Sequence, residues 1–451
     1  MTARIHLNAF DMTCVAHQSP GLWRHPKDQS HRYKDIDYWT DLAKLLERGG
    51  FTSLFIADVL GVYDVYQDSA EAAILGADQI PVNDPLMQIS AMAAVTEHLG
   101  FAVTVSSTYE KPYAFARKMS TLDHLSKGRV GWNIVTSYLE SAARNLGLEN
   151  QVKHDHRYEL AEEFLEVCYK LWEYSWDDDA VVKDQAKGTF TSKDKIRPIG
   201  HKGRYFEVPG YHLCEPSPQR TPLLFQAGAS PRGREFAARH AEAIFITGTR
   251  PEVLRPKVDD IRRRLEANNR DPRSVKIFPL VTVVTAGTDE EAEAKHRDFL
   301  RYASYDGALA LYGGWSGLDL SGYDPDQPLK YVETEAVRSA VEAFTTADPD
   351  RTWTPREIAN WVTVGGMGPV LIGGPEKIAD ELERWADEAD VDGFNLAYAI
   401  TPGTFEDLVE HVVPELQRRN RLGTGGPTLR DSLLGQPRLR DDHPGARYRQ
   451  T

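Results

Sequence analysis

Three short stretches carry residue types that can hold an anion or move a proton. In "FQAGASPRGREFAARHA" small residues precede Ser230, Arg232 and Gly233 at the start of a helical pattern. Small residues let a ligand approach the main chain, and the free amides of a helix start attract phosphate, with the Ser230 hydroxyl as a further donor. A serine that only caps its helix fits the same spacing. In "KHDHRY", residues 153–158, His154 and Tyr158 are four apart and share one helical face, from which both could reach a phosphate or a sugar-alcohol chain. A solvated histidine beside a half-buried tyrosine fits that pattern too. In "FDMTCVAHQSPGLWRHP" Cys14 and His17 invite a thiol nucleophile, but nothing in the sequence orients the histidine or lowers the thiol pKa, so a small buried cysteine is the simpler reading.

Other chemistries lack their residues. The ends of the apolar runs offer Asn8 and Asp11, Asp58, Ser106 to Thr108, Asn133 with Ser137, Gln226 to Gly228, and Thr247. A glycosidase needs two facing carboxylates and a metallohydrolase a His/Asp cluster; neither assembles from these positions, and no metal is expected. No G-x-G-x-x-G follows a strand pattern, and "VGGMGPVLIGGPEK" has the glycines without the spacing, so a tightly bound nicotinamide is not supported.

The elements that must position these residues repeat. Eight apolar runs, "RIHLNAF", "FTSLFIAD", "FAVTVSST", "RVGWNIVTS", "PLLFQAG", "EAIFITG", "IFPLVTVVTAG" and "GFNLAYA", barely alternate, as expected for strands buried on both faces. Amphipathic segments separate them. In "DIDYWTDLAKLLERGG" Ile36, Trp39, Leu42 or Ala43 and Leu46 share a face and Gly49 is placed to end the helix. In "DPLMQISAMAAVTEHLG" Asp84 can cap, Pro85 suits the first turn and Gly100 is placed to close. In "RYELAEEFLEVCYKLWE" Leu160, Phe164, Leu165, Cys168, Leu171 and Trp172 form a core-facing stripe, and further helices are expected near 232–241, 251–267, 289–303, 375–388 and 404–419. This alternation predicts an α/β (β/α)8 barrel over residues 1–422, with active-site residues at the carboxyl ends of the strands. Residues 60–83, 174–219 and 304–374 fall outside the repeat. Their length and aromatic content, as in "LYGGWSG", point to ordered covers over the barrel mouth. Residues 423–451, rich in Gly, Pro and Arg, read as an extended arm that packs on a neighbouring subunit, or as a disordered tail.

A formal net charge of −14 argues against a nucleic-acid or anionic-membrane surface and for small or neutral partners. No run is long and apolar enough to span a bilayer, and "MTARIHLNAFDM" lacks a secretory pattern, so a cytoplasmic location is expected. Cys14, Cys168 and Cys214 are far apart, which indicates neither a disulfide framework nor a structural zinc site.

The long motifs "NAFDMTCVAHQSPGLWRHP", "STLDHLSKGRVGWNIVTS", "HDHRYELAEEFLEVCYKLW", "CEPSPQRTPLLFQAGASPRG" and "DGFNLAYAITPGTFEDLVEHVVPELQRR" resemble those of the bacterial luciferase-like flavin monooxygenases, in the group of the nitrilotriacetate and dibenzothiophene-sulfone enzymes. The resemblance implies a luciferase-type TIM barrel that takes FMN as FMNH2 from a separate NAD(P)H-dependent reductase and uses O2 to oxygenate a small apolar substrate. It also implies a homodimer or homotetramer. Carried over by position, Asp58 and Thr104 would contact the flavin ring region, Asn133 and Ser137 would face the isoalloxazine or the substrate above it, and His154, Tyr158 and Ser230 would hold the ribityl phosphate. His17 would be the acid or base, with Cys14, Tyr63, Gln79 and Tyr138 lining the pocket. Similarity to the long-chain alkane enzyme covers Cys14, His17, Tyr63 and Gln79, but that enzyme carries histidines in place of Tyr138 and Leu311, while "TSYLESAARNLG" and "LALYGGWSG" look like the dimethylsulfide enzyme. An organosulfur substrate with C–S cleavage is therefore expected, with alkane hydroxylation, deazaflavin-dependent hydride transfer and a non-catalytic flavin-binding protein as alternatives.

Overall fold

A computed structural model describes residues 4–228, 230–332, 334, 336–348 and 350–449. All eight apolar runs are staves of one closed parallel sheet. They are β1 (His6–Met12), β2 (Ser53–Ala57), β3 (Gly100–Ser106), β4 (Val130–Val135), β5 (Leu223–Gln226), β6 (Ala243–Ile246), β7 (Lys276–Thr285) and β8 (Gly393–Ala397). Neighbours in sequence are neighbours in space; Ala243 pairs with Lys276 between β6 and β7, and His6 with Gly393 between β1 and β8. The near-continuous apolar character has the expected cause. Leu54 and Ile56 point out to the helices, while Phe55 points in, stacked 4.4 Å from Phe245 and 4.9 Å from Phe10. Gly131 of β4 gives the inner aromatic layer its room, since a Cβ there would lie 2.6 Å from the Phe225 ring.

The helices carry most of the expected signals. Helix α1 (Ile36–Arg48) buries Trp39, Leu42, Ala43 and Leu46 and turns out at Gly49 and Gly50, the latter with φ 65°. Ile36 was expected on that face but sits in the first turn half-exposed, and Tyr38 is buried instead. Before α2 (Leu86–Ala94), Asp84 Oδ1 accepts the Leu86 amide at 2.9 Å. That helix stops at Ala94, so Gly100 does not close it; Gly100 opens β3, where the Leu429 side chain would meet any Cβ at 2.4 Å. Helices α3 (Pro112–Leu125), α4 (His154–Tyr169), α5 (Pro231–His240) and α6 (Pro251–Ala267) complete the nearer half of the outer ring.

The stretches outside the repeat differ in place. Residues 60–83 and 304–374 build a second apolar core over the mouth, in which Tyr63, Tyr66 and Ala73 pack with Leu311, Tyr312 and Trp315 of α7 (Tyr305–Ser316) and with Ile358 and Val362 of α8 (Pro355–Val362). Residues 174–219 do not cover the mouth. They form two small hairpins on the barrel's flank, tied to α4 by His201 against Glu163 and to α3 by Ser120 against His212. A short strand, Val370–Gly373, pairs with Thr282–Thr285; it was hidden in the third stretch because its run of apolar residues is short and flanked by glycines. Helix α9 (Pro375–Ala389) then leads to β8.

Residues 423–449 are neither an arm reaching away nor a loose tail. A helix over Leu429–Leu434 sets Leu429 and Leu433 against the inner aromatic layer, and buried Arg430 forms an ion pair with Glu242 at 2.7 Å. Composition hid this, because one helical turn with two leucines is enough to plug the narrow end of a barrel. No described helix is long and apolar enough to cross a membrane.

Candidate active site

A partly open cavity of about 230 Å³ lies at the carboxyl ends of β2, β4 and β5. Its wall is apolar on one side, with Val59, Leu60, Ile134, Val135, Leu139 and Ala142; Ala336 and Val337 reach it from the third stretch. Its other end is polar and carries His154, Arg157, Tyr158, Gln226, Gly228 and Ser230.

The polar end is built where β5 gives way to α5. Ser230 Oγ accepts the Gly233 amide at 3.0 Å, so the serine does cap its helix. The same oxygen lies 3.2 Å from His154 Nε2, while His154 Nδ1 is 2.8 Å from Asp155. A Cβ on Gly228 or Gly233 would come within 2.9 or 2.7 Å of the Tyr158 hydroxyl, so these glycines are what let that hydroxyl sit between strand end and helix start. Burial pushes the Tyr158 phenol up and keeps it neutral. With the positive end of α5 and the Arg157 guanidinium, this end favours an anion in a chain that is otherwise strongly acidic.

At the end of β4 the chain turns through Ser137 at φ 58°, which aims its hydroxyl at Ser106 Oγ, 2.8 Å away. One strand level below, Asn133 Nδ2 donates to Thr104 Oγ1 at 3.0 Å, and Asn133 Oδ1 is buried with no partner among the described residues. Asp58 lines the cavity, its carboxyl pushed up to about 7 by burial and further by Asp84. Asp58, Ser137, Tyr138, His154, Tyr158 and Ser230 thus face one cavity, with Thr104 and Asn133 beneath it.

The other candidates sit behind Tyr138 rather than on the cavity wall. The Tyr63 hydroxyl donates to Gln79 Oε1 at 2.9 Å and lies 2.9 Å from the Tyr138 hydroxyl, and Trp315 Nε1 donates to Tyr63 at 3.0 Å. Gln79 Nε2 donates to the His17 carbonyl at 2.9 Å. His17 is buried edge-on against Phe10 at 4.4 Å, and that burial lowers its pKa to about 3, so it is neutral near pH 7. Burial also pushes the Cys14 thiol well above its usual range, which works against a thiolate nucleophile there. Leu311 lies in the cap core, not at the cavity.

Sequence reasoning missed Arg157 and Trp315. The first has a signal, an arginine inside the core-facing run of α4; the second has none, because its partner lies 252 positions away. No group of three His, Cys, Asp or Glu residues among the described ones could hold a metal.

A model of the luciferase-like monooxygenases matches residues 12–392. The dimethyl-sulfide monooxygenase of Hyphomicrobium sulfonivorans is 56% identical over 100% of this chain and 94% of its own. The crystal structure of DmoA from that organism superposes with a TM-score of 0.92, covering 99% of this chain and 96% of its own. The long-chain alkane monooxygenase of Geobacillus thermodenitrificans (strain NG80-2) is 51% identical over 100% of this chain and 99% of its own. A riboflavin lyase solved with modified FMN and riboflavin is 39% identical, with a TM-score of 0.93 over 99% of this chain and 100% of its own.

Proposed function

Since the chain belongs to the luciferase-like monooxygenase family, we propose that it oxygenates a small apolar organosulfur compound, using FMNH2 from a separate NAD(P)H-dependent flavin reductase. A homodimer or homotetramer is part of the same proposal.

The residues fit reduced FMN. Ser230, His154, Tyr158 and the start of α5 would take the phosphate, the apolar wall from Val59 to Ala142 would take the ring, and the buried, unpartnered Asn133 Oδ1 offers an acceptor beneath the mouth. When bound, reduced flavin supplies the activation of O2. The protein's part is to orient the ring and keep water out, and the cap core formed by Tyr63, Leu139, Trp315 and their neighbours supplies that exclusion. His17, neutral and buried, can accept or hand on a proton only through a neighbour.

The hydrogen-bonded set of Tyr138, Tyr63, Gln79 and Trp315 carries the substrate reading. The substrate would sit at the Tyr138 end of the cavity, against a hydroxyl fixed by Tyr63, Gln79 and Trp315, a set that suits a small neutral guest and offers no cation to a polyanionic chelate. The test is coupled turnover with NADH, FMN and a generic flavin reductase, with products from dimethyl sulfide, other short sulfides and a ladder of n-alkanes read by mass spectrometry. Aldehyde or thiol from a sulfide supports the proposal. Terminal alcohols from alkanes, with sulfides untouched, would replace it by the alkane reading.

A further inference from the structure

The proton directions around Tyr63 can be fixed. The His17 carbonyl, 2.9 Å from the Gln79 amide, cannot donate, so it must face Gln79 Nε2, which leaves Oε1 turned to Tyr63. The Tyr63 hydroxyl gives its single proton to that oxygen at 2.9 Å. Trp315 Nε1 is a donor only and takes one Tyr63 lone pair at 3.0 Å. The remaining neighbour at 2.9 Å, the Tyr138 hydroxyl, can therefore only donate to Tyr63. Its proton is committed away from the cavity that Tyr138 lines. Ser137, the adjacent cavity residue, likewise gives its proton to Ser106.

We propose that Tyr138 presents the cavity with an acceptor-only oxygen, its direction set by Tyr63, Gln79 and the His17 carbonyl. The site thereby admits a thioether and excludes a guest with a strong acceptor there, such as a sulfoxide, sulfone or carbonyl oxygen. This rests on the reading above that the substrate occupies the Tyr138 end. Two acceptors brought together without a proton leave both desolvated and unpaired, whereas thioether sulfur is a weak acceptor and loses little. Tyr138 is thus a specificity residue, and Tyr63 and Gln79 are positioning residues that act through it. The enzyme should distinguish a sulfide from its own S-oxide, although the two differ by one atom.

Dissociation constants for tetrahydrothiophene and its S-oxide, measured by ligand-observed NMR on the full chain with and without FMN, test this independently of turnover. Wild type should prefer the sulfide by about tenfold or more. In Tyr63→Phe the Tyr138 proton loses its acceptor and turns to the cavity, so S-oxide affinity should rise about tenfold while sulfide affinity changes little. Gln79→Leu frees the Tyr63 proton for Tyr138 and should act in the same direction, which covers the case that one variant does not fold. Trp315→Phe leaves the Tyr63-to-Gln79 direction in place, so its preference should stay that of wild type even if the cap loosens. Equal binding of the two compounds by wild type, no binding of either, or an unmoved preference in both Tyr63→Phe and Gln79→Leu would each overturn the proposal. Discrimination without turnover of any sulfide would remove the substrate reading and leave the polarity of Tyr138 standing.

Discussion

Ser230 Oγ caps α5 through the Gly233 amide and also faces His154, so its two roles can be separated by substitution. Ser230→Ala should lower stability by about 1 kcal/mol through the lost cap and raise the FMN dissociation constant roughly tenfold. Ser230→Asp keeps a capping oxygen but sets a carboxylate against a phosphate, so thermal unfolding should stay near wild type while flavin-fluorescence titration shows the larger loss of affinity. For His17, burial at a pKa of about 3 means that no catalytic inflection near neutrality belongs to it. His17→Ala should bind FMN normally and form less product per NADH consumed, and any inflection near pH 7, which Asp58 can supply, should survive the substitution. Loss of that inflection would contradict a neutral His17. Asp78 is buried with neither carboxyl oxygen partnered among the described residues, and burial pushes it up to about 7. Its folded pKa lies above the unfolded value near 3.8, so its contribution to stability is full below the unfolded value and is lost as pH rises to about 7. Asp78→Asn should therefore be more stable than wild type by a margin that grows from about pH 4 to pH 7 and is flat above, by roughly a few kcal/mol, read from melting curves across pH.

At the scale of elements, α7 reaches the site through one missing side chain. A Cβ on Gly314 would lie 2.2 Å from the Tyr63 ring, so Gly314→Ala must displace Tyr63 or the helix. Product formation should fall about tenfold or more, since small misplacements near reacting groups are costly, while FMN affinity holds because the phosphate end is untouched. Unchanged turnover would show that Tyr63 need not be where it is. The same elements show what a sequence can reveal. The eight staves were legible because a strand buried on both faces writes itself as an unbroken apolar run, and the placement of Ser230, His154 and Tyr158 at one cavity end could be anticipated because a helix start and an i, i+4 pair are local. The cap was legible only as length and aromatic content. Trp315 meeting Tyr63, or Gln79 meeting the His17 carbonyl, depends on how distant loops settle on one another, and residue order does not carry that.

Across the whole molecule, the charged anchor of the closing segment is expected to matter as much as any stave. Arg430 is fully buried and is held by Glu242 and by the Thr221 carbonyl. Arg430→Ala leaves the Glu242 carboxylate buried without its cation, with the Leu224 amide as its remaining donor, and should cost about 3–5 kcal/mol in urea unfolding. Replacing both partners with apolar residues of similar size should recover most of that loss, because the desolvation penalty goes with the charges. The placement of β8 between β1 and β7, with the Leu429–Leu434 helix seated beneath the aromatic layer, also bears on synthesis. As the chain leaves the ribosome, β1 comes out first yet waits for residues 393–397 before its second edge is paired, and the plug comes later still. Long-range parallel pairing of this kind is slow and leaves apolar edges exposed in the meantime. A nascent chain stalled before residue 393 should stay open to protease, and this barrel should lean on chaperones during translation more than its finished packing would suggest.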